Sequence, residues 1–292
     1  MNKKLEFTCI LALVLSLPFF LLPIASAQNI NEVFQTVAYL HGKGDVESAA
    51  IDGIEYEVWV KGAGDTNPHP YRKGHSGTGF FIRKGTKIYL ITAAHVARTL
   101  KYETKVTIHG SGDKPLNYDL KDVTGSGNDR SWFFHNEADV ALLPLNPSEQ
   151  FKGIIKVIEH SQLLISENQY AQFRNRVLTT IGFPLSLGLR GKFSPITKSS
   201  KAASNLLNYK SADTKTETTF LILDDPSVQG FSGAPVYALS EVNLGGIAFG
   251  TGAFACVGLV HGTLSDNTGG KFAAIVPAYF ISQTIDIYEN RK

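Results

Sequence analysis

Short apolar runs rich in β-branched and aromatic residues, many of them closed by glycine-bearing turns, recur along this chain and commit it to an all-β body. Residues 55–60, 79–82, 87–92, 105–109 and 140–145 form a first set, and residues 153–158, 177–182, 218–223, 234–239, 255–260 and 272–276 a second. Turn signals such as Gly85, Gly110-Ser111-Gly112 and Gly125-Ser126-Gly127 separate several of them. Many strands at this spacing imply a sandwich or a barrel. Two stretches have helical character. Residues 31–40 place Val33, Phe34, Val37 and Leu40 at a spacing compatible with a short helix, and residues 278–288, opened by Pro277, repeat Phe280, Ile281, Ile285 and Tyr288 at helical period. The polar residues 197–218 read as an exposed loop.

The N-terminus predicts export. Lys3 and Lys4 precede an apolar run over 7–22, which is followed by Pro23 and by the small residues Ala25-Ser26-Ala27, the pattern of a signal peptide cut after Ala27. The run is short for a retained membrane span. Removing residues 1–27 from the 292 leaves 265, a length that suits one large β domain or two small ones. Cys9 lies within the signal, so Cys256 is alone in the remainder and no internal disulfide forms; a buried apolar role for it is expected, with intermolecular pairing as the alternative. The net charge of +2 includes Lys3, Lys4 and Glu6, and the remainder carries +1. That balance favours neither nucleic acid nor an anionic membrane as partner.

Three segments carry chemistry. In Leu90-Ile91-Thr92-Ala93-Ala94-His95-Val96, an apolar strand ends in two alanines that let the chain turn tightly, which mounts His95 rigidly as a general base. In Gly230-Phe231-Ser232-Gly233-Ala234-Pro235, small residues flank a serine, leaving its oxygen exposed and the N–H groups of Gly230 and Ser232 able to converge on an oxyanion. In Glu137-Ala138-Asp139-Val140-Ala141-Leu142, an acid stands before a hydrophobic strand, placed to accept the N–H of His95 and fix its tautomer. Taken singly, each has a plainer interpretation: a core or surface histidine, a glycine turn, a strand-start residue facing water.

Together the three resemble the trypsin-like, chymotrypsin-fold serine peptidases, in which Thr-Ala-Ala-His, Asp-Val-Ala-Leu and Gly-x-Ser-Gly segments follow one another as His, Asp, Ser. The likeness runs from Ser76-Gly77-Thr78-Gly79-Phe80 to the terminal helix. It includes Thr180-Ile181-Gly182-Phe183-Pro184, similar to a segment of the bacterial high-temperature-requirement peptidases, and Val257-Gly258-Leu259-Val260, similar to the strand that lines the family's substrate cleft. The resemblance implies an all-β fold of two antiparallel Greek-key six-stranded β-barrels with a C-terminal helix and the site in the crevice between them. It divides the chain into a signal peptide (1–27), an N-terminal extension (28–75), a first barrel with His95 and Asp139 (76–150), and a second barrel with Ser232, the oxyanion donors and the helix (151–292). It implies an exported serine endopeptidase, periplasmic or secreted, acting on protein or peptide substrates without cofactor or metal. The 60 residues after Ser232 finish the second barrel and helix, so no peptide-binding PDZ module is expected. A catalytically silent binding protein on the same fold is the alternative.

Departures from the pattern bear on activation and specificity. Phe231 stands where digestive trypsin-like enzymes carry an aspartate that pairs with a freed N-terminus, so activity is not expected to depend on such a cleavage, although residues 28–75 are long enough for a pro-segment. Asp225 and Pro226 lie at the expected pocket base, but Asp225 is seven residues before Ser232 where trypsins use six, which favours a small or medium apolar preference over a basic one. Asp224 matches a structural aspartate of the high-temperature-requirement group. Val260 and His261 lie on the cleft strand. Glutamate-specific members place a histidine two residues after the strand glycine, whereas His261 follows Gly258 by three and so faces the other way. His41, His69, His75, His109, His135 and His160 show no metal-ligand spacing.

Overall fold

The structure, a computed structural model, describes residues 30–46, 48–51, 54–57, 59–60, 66, 69–70, 72–100, 104–125, 131–210, 217–244, 247–266 and 268–291. The expected signal peptide lies outside these residues. Eight strands form the first sheet: β1 (Val37–Val46), β2 (Arg72–Lys84), β3 (Lys87–Thr92), β4 (Lys105–His109), β5 (Pro115–Asp119), β6 (Phe133–Phe134), β7 (Ala141–Leu145) and β8 (Ile158–Glu159). Their order is β6-β7-β3-β2-β1-β4-β5, antiparallel throughout, with β8 joining β2 in parallel. The second sheet is antiparallel and has seven strands: β9 (Val177–Gly182), β10 (Ile196–Lys201), β11 (Leu207–Lys210), β12 (Glu217–Leu223), β13 (Pro235–Leu244), β14 (Ile247–Ser265) and β15 (Lys271–Pro277), in the order β10-β9-β13-β14-β15-β12-β11. The helix Ala278–Glu289 follows β15. This is the two-sheet, all-β, chymotrypsin-like architecture with a terminal helix that the resemblance implies, with eight and seven strands in place of six each.

Differences from the expected elements have local causes. The helix expected over 31–40 is confined to Ile30–Val33, and Val37–Val46 is strand. Val37, Ala38, Tyr39 and Leu40 are all buried because β1 runs between β2 and β4, and neighbours on both faces outweigh a helical spacing of four residues. Conversely, the strand expected at 153–158 yields to the helix Glu149–Ile154: the Ser148 hydroxyl accepts the Phe151 N–H at 3.3 Å, and buried Phe151 packs edge-on to Phe81 and Tyr118. The polar residues 197–218 contain β10 and β11, which occupy the two edges of the second sheet. An edge strand buries little, and β11 is exposed at every residue, so polar side chains there carry no cost. Strands β3, β4 and β9 have the bounds the sequence predicts.

The two sheets are joined through buried hydroxyls. The Thr78 hydroxyl on β2 donates to the Gly230 carbonyl at 2.8 Å and accepts the Phe183 N–H at 3.1 Å, while the Thr78 N–H donates to the Ser232 carbonyl at 3.0 Å. The Thr36 hydroxyl donates to the Val33 carbonyl at 2.8 Å, so the fully buried Tyr237 of β13 is the donor in their 2.9 Å contact. Each bond satisfies groups that would otherwise be buried without partners, and each works only if the sheets keep their relative position.

The terminal helix is tied back to the first sheet by Glu289, which accepts from Lys84 Nζ at 2.9 Å, Lys87 Nζ at 2.8 Å and the Tyr89 hydroxyl at 2.8 Å. Hydrogen bonds from Lys87 and Lys84 outweigh desolvation and lower the Glu289 pKa from 4.5 to about 2. A carboxylate whose pKa drops on folding contributes stability above its unfolded value and loses it as pH falls toward the folded one. Melting temperature is therefore expected to fall between pH 4.5 and about 2, and to fall less steeply in Glu289→Gln. An unchanged pH slope in that variant would contradict the anchoring role.

Candidate active site

Asp139 lies just before β7, in a bend that buries its side chain to 2% exposure. His95 comes from the helix Ala94–Thr99, which starts two residues after β3 ends; β3 pairs with β7, Thr92 opposite Ala141, so the two segments emerge side by side. The His95 N–H donates to Asp139 Oδ1 at 2.9 Å, and His95 Nδ1 lies 2.7 Å from Oδ2. The imidazole is 36% exposed, with its mount buried and its ring reaching the surface.

A second histidine reaches the same carboxylate from the other sheet. His261 Nδ1 lies 2.6 Å from Asp139 Oδ2, and its ring is 7% exposed, edge-on to His95 at 5.6 Å and against Phe220 at 5.2 Å. The β14–β15 register slips between Val260 and Gly262, so His261 is the extra residue of a β-bulge. Bulges re-aim side chains. Here the bulge turns the ring to Asp139.

Burial alone would raise the Asp139 pKa, but hydrogen bonds from His261 and His95 reverse that and hold the carboxyl well below its ordinary range. An ionised carboxylate only accepts, so both imidazoles carry their proton on Nδ1. The three side chains also meet the loose criterion for a cation site. Tetrahedral zinc bonded at about 2.0–2.2 Å keeps its ligand atoms about 3.3 Å apart, however, and separations of 2.6 and 2.7 Å suit a shared proton instead.

Ser232 lies on the turn between β12 and β13, and its hydroxyl donates to the His261 carbonyl at 3.2 Å. Gly230 has φ +99°, conformational space that glycine takes without strain, and a Cβ there would sit 2.5 Å from the Phe183 carbonyl oxygen. Among the described residues, neither the Gly230 nor the Ser232 N–H makes a main-chain hydrogen bond outside the regular elements, whereas the Phe231, Gly233 and Ala234 N–H groups all do. Both expected oxyanion donors therefore have free main-chain N–H groups at the serine.

Beside Ser232 is a cavity of ≈ 10 Å³, room for about one water, lined in part by Asp225, Pro226, Phe231, Val260, Lys198 and Ser200. Asp225, Pro226 and Val260 are thus at the cleft position the sequence predicts. His261 is not: as a substrate-binding residue it is a correction, since the ring points to Asp139 while Val260 beside it faces the cavity. The Ser200 hydroxyl donates to Asp225 at 3.4 Å, and Lys198 Nζ donates to the Pro226 carbonyl. Asp224 accepts the Lys201 N–H at 2.8 Å and returns its own N–H to the Lys201 carbonyl at 3.0 Å, a structural role consistent with its position. The sequence did not reveal the two residues that link the site's parts: Thr78, noted only within a matching segment, and His261 as a partner of Asp139.

No protein-family model matches the sequence, and no curated protein matches it. Solved structures do. The HtrA-type protease AlgW, solved with a decapeptide, aligns at TM-score 0.50 and 18% identity over 89% of this chain and 66% of that one. An AlgW variant with a tripeptide aligns at 0.49 and 13% over 90% and 62%, and an inactive form of Rv3671c from M. tuberculosis at 0.46 and 15% over 92% and 98%. The present chain therefore spans about two thirds of the length of the AlgW chains. At these identities the likeness is one of fold.

Gly233 tests how tightly the serine turn is held. It has φ +82°, and a Cβ would lie 2.2 Å from both the Thr78 carbonyl oxygen and Thr92 Oγ1 and 2.9 Å from the Ala93 nitrogen. The obstacles are largely backbone and cannot swing aside. Gly233→Ala is expected to cost about 3 kcal/mol or more, the sum of overpacking and backbone strain. A denaturation midpoint within error of wild type would show that the turn is not docked as described.

Proposed function

We propose that this chain is an exported trypsin-like serine endopeptidase that hydrolyses peptide bonds through an acyl-enzyme on Ser232, with His95 as general base and acid and Asp139 orienting it. The observation that carries this is the contact of His95 Nδ1 with ionised, buried Asp139 at 2.7 Å, next to a serine held on a glycine-flanked turn. With its proton on Nδ1, His95 has Nε2 as its basic nitrogen.

In the reaction, the Ser232 hydroxyl turns from the His261 carbonyl toward His95 and transfers its proton to Nε2 as Oγ bonds to the substrate carbonyl carbon. The carbonyl π electrons move to oxygen, where the Gly230 and Ser232 N–H groups stabilise the charge. Asp139 stabilises the imidazolium. His95 then returns the proton to the departing amine as the carbon–nitrogen bond breaks, and a water activated by His95 releases the acyl group in the same way.

Burial of Phe231 to 2% exposure supports a turn whose shape does not depend on an ion pair with a new N-terminus. The small cavity, with Val260 and Phe231 in its walls and Asp225 already a hydrogen-bond acceptor, favours a small or medium apolar side chain at the cleavage site over Lys or Arg. Export rests on residues 1–27. Among the described residues no helix is long and apolar enough to cross a membrane.

Ser232→Ala is expected to lower kcat on a peptide by several orders of magnitude while leaving the melting temperature near that of wild type. Equal turnover by the variant would eliminate Ser232 as nucleophile. A wild-type protein that folds, binds peptides and cleaves none would favour the silent binding protein. A cleavage profile on a peptide library dominated by Lys or Arg would refute the assigned pocket.

A further inference from the structure

The bulge in β14 gives His261 two attachments inside the site, one through its side chain and one through its backbone. Its Nδ1 donates to Asp139 Oδ2 at 2.6 Å, and its carbonyl accepts the Ser232 hydroxyl at 3.2 Å. Its two neighbours have other tasks: the Val260 carbonyl accepts the Gly233 N–H at 2.8 Å, and the Val260 N–H donates to the Ala234 carbonyl at 2.9 Å, docking the serine turn on β14. His95 and Asp139 belong to the first sheet's segments and Ser232 to the second's, so His261 is the point where a rigid strand of the second sheet grips the acid of the first.

We propose that His261 is a positioning residue for this centre: its imidazole holds Asp139 from the side opposite His95 while its carbonyl holds the resting hydroxyl of Ser232, so one bulged residue sets acid and nucleophile together. The proposal rests on the peptidase reading above. A strand residue with an ordinary side chain at this place would leave a lone pair of a buried carboxylate oxygen unused, and desolvated carboxylates need their acceptor sites filled.

A purely structural role predicts loss of stability alone. A positioning role predicts a change in how His95 titrates. Asp139 is the acid facing His95, and His95 and His261 are the titratable groups that bear on it. His261 draws some of the carboxylate's negative charge toward itself. Without that donor, Asp139 favours the imidazolium of His95 more strongly, so the His95 pKa rises.

His261→Phe keeps a ring against Phe220 and removes the donor, and His261→Asn restores an N–H donor at a comparable distance from the backbone. On a peptide substrate, His261→Phe is expected to lower kcat about 10- to 100-fold with little change in KM, through misplacement of the acid. The acidic limb of its kcat/KM profile moves upward by about half a unit or more. His261→Asn is expected to recover most of kcat and to move the limb back. A folded His261→Phe protein with wild-type kcat and an unmoved acidic limb would overturn the proposal.

Histidine-selective ¹⁵N NMR of the wild-type protein provides a readout that needs neither turnover nor a folded variant. His261 is expected to show a protonated Nδ1 with a strongly downfield N–H resonance; an unprotonated Nδ1 overturns the proposal. Failure of wild type to react with a fluorophosphonate would instead count against the peptidase reading, and the two failures are separately visible.

Discussion

A single buried carboxylate oxygen receives a proton from each side of the molecule. Asp139 is out of water, and an ionised carboxylate there is tolerable only because Oδ2 accepts from both His95 and His261 and Oδ1 accepts a backbone N–H. One donor sits on a helix leaving the first sheet and the other on a bulge of the second. The relative placement of the sheets is thus written into the coordination of one side chain, and anything that shifts one sheet against the other leaves a buried charge short of a partner.

The rest of the site follows from how closely the chain can approach itself around that point. Thr78 donates through its hydroxyl and its amide to the serine turn, and its own carbonyl accepts the Thr92 hydroxyl at 2.8 Å at the end of the strand that leads to His95. Histidine mount and serine turn therefore share one threonine of β2. The packing leaves no space for a side chain at Gly233, which explains in steric terms why small residues surround Ser232.

The sequence shows much of this. Strands with clear alternation or a compact apolar run, such as β3, β4 and β9, have the bounds expected of them, and the histidine, aspartate and serine segments are recognisable from the residues that mount them. What misleads is whatever depends on neighbours. Residues 37–40 satisfy a helical spacing as well as a strand, and only burial between β2 and β4 decides. Ser148 caps a helix in a stretch whose β-branched residues suggest a strand. The edge strands β10 and β11 are polar because they border water, so they look like loop. His261 is the instructive case: its spacing from Gly258 correctly turns it away from the cleft, but a bulge and a contact across 122 residues, neither visible in sequence, determine what it faces instead.

The central claim is that His95, Asp139 and Ser232 form a working nucleophilic centre on this two-sheet fold. Reacting the folded protein with a fluorophosphonate and locating the adduct by peptide mass spectrometry tests it most directly. The account predicts one covalent adduct, on Ser232, that is lost when the protein is unfolded before the reagent is added. A folded protein that leaves Ser232 unmodified under conditions that label a known serine peptidase would contradict it.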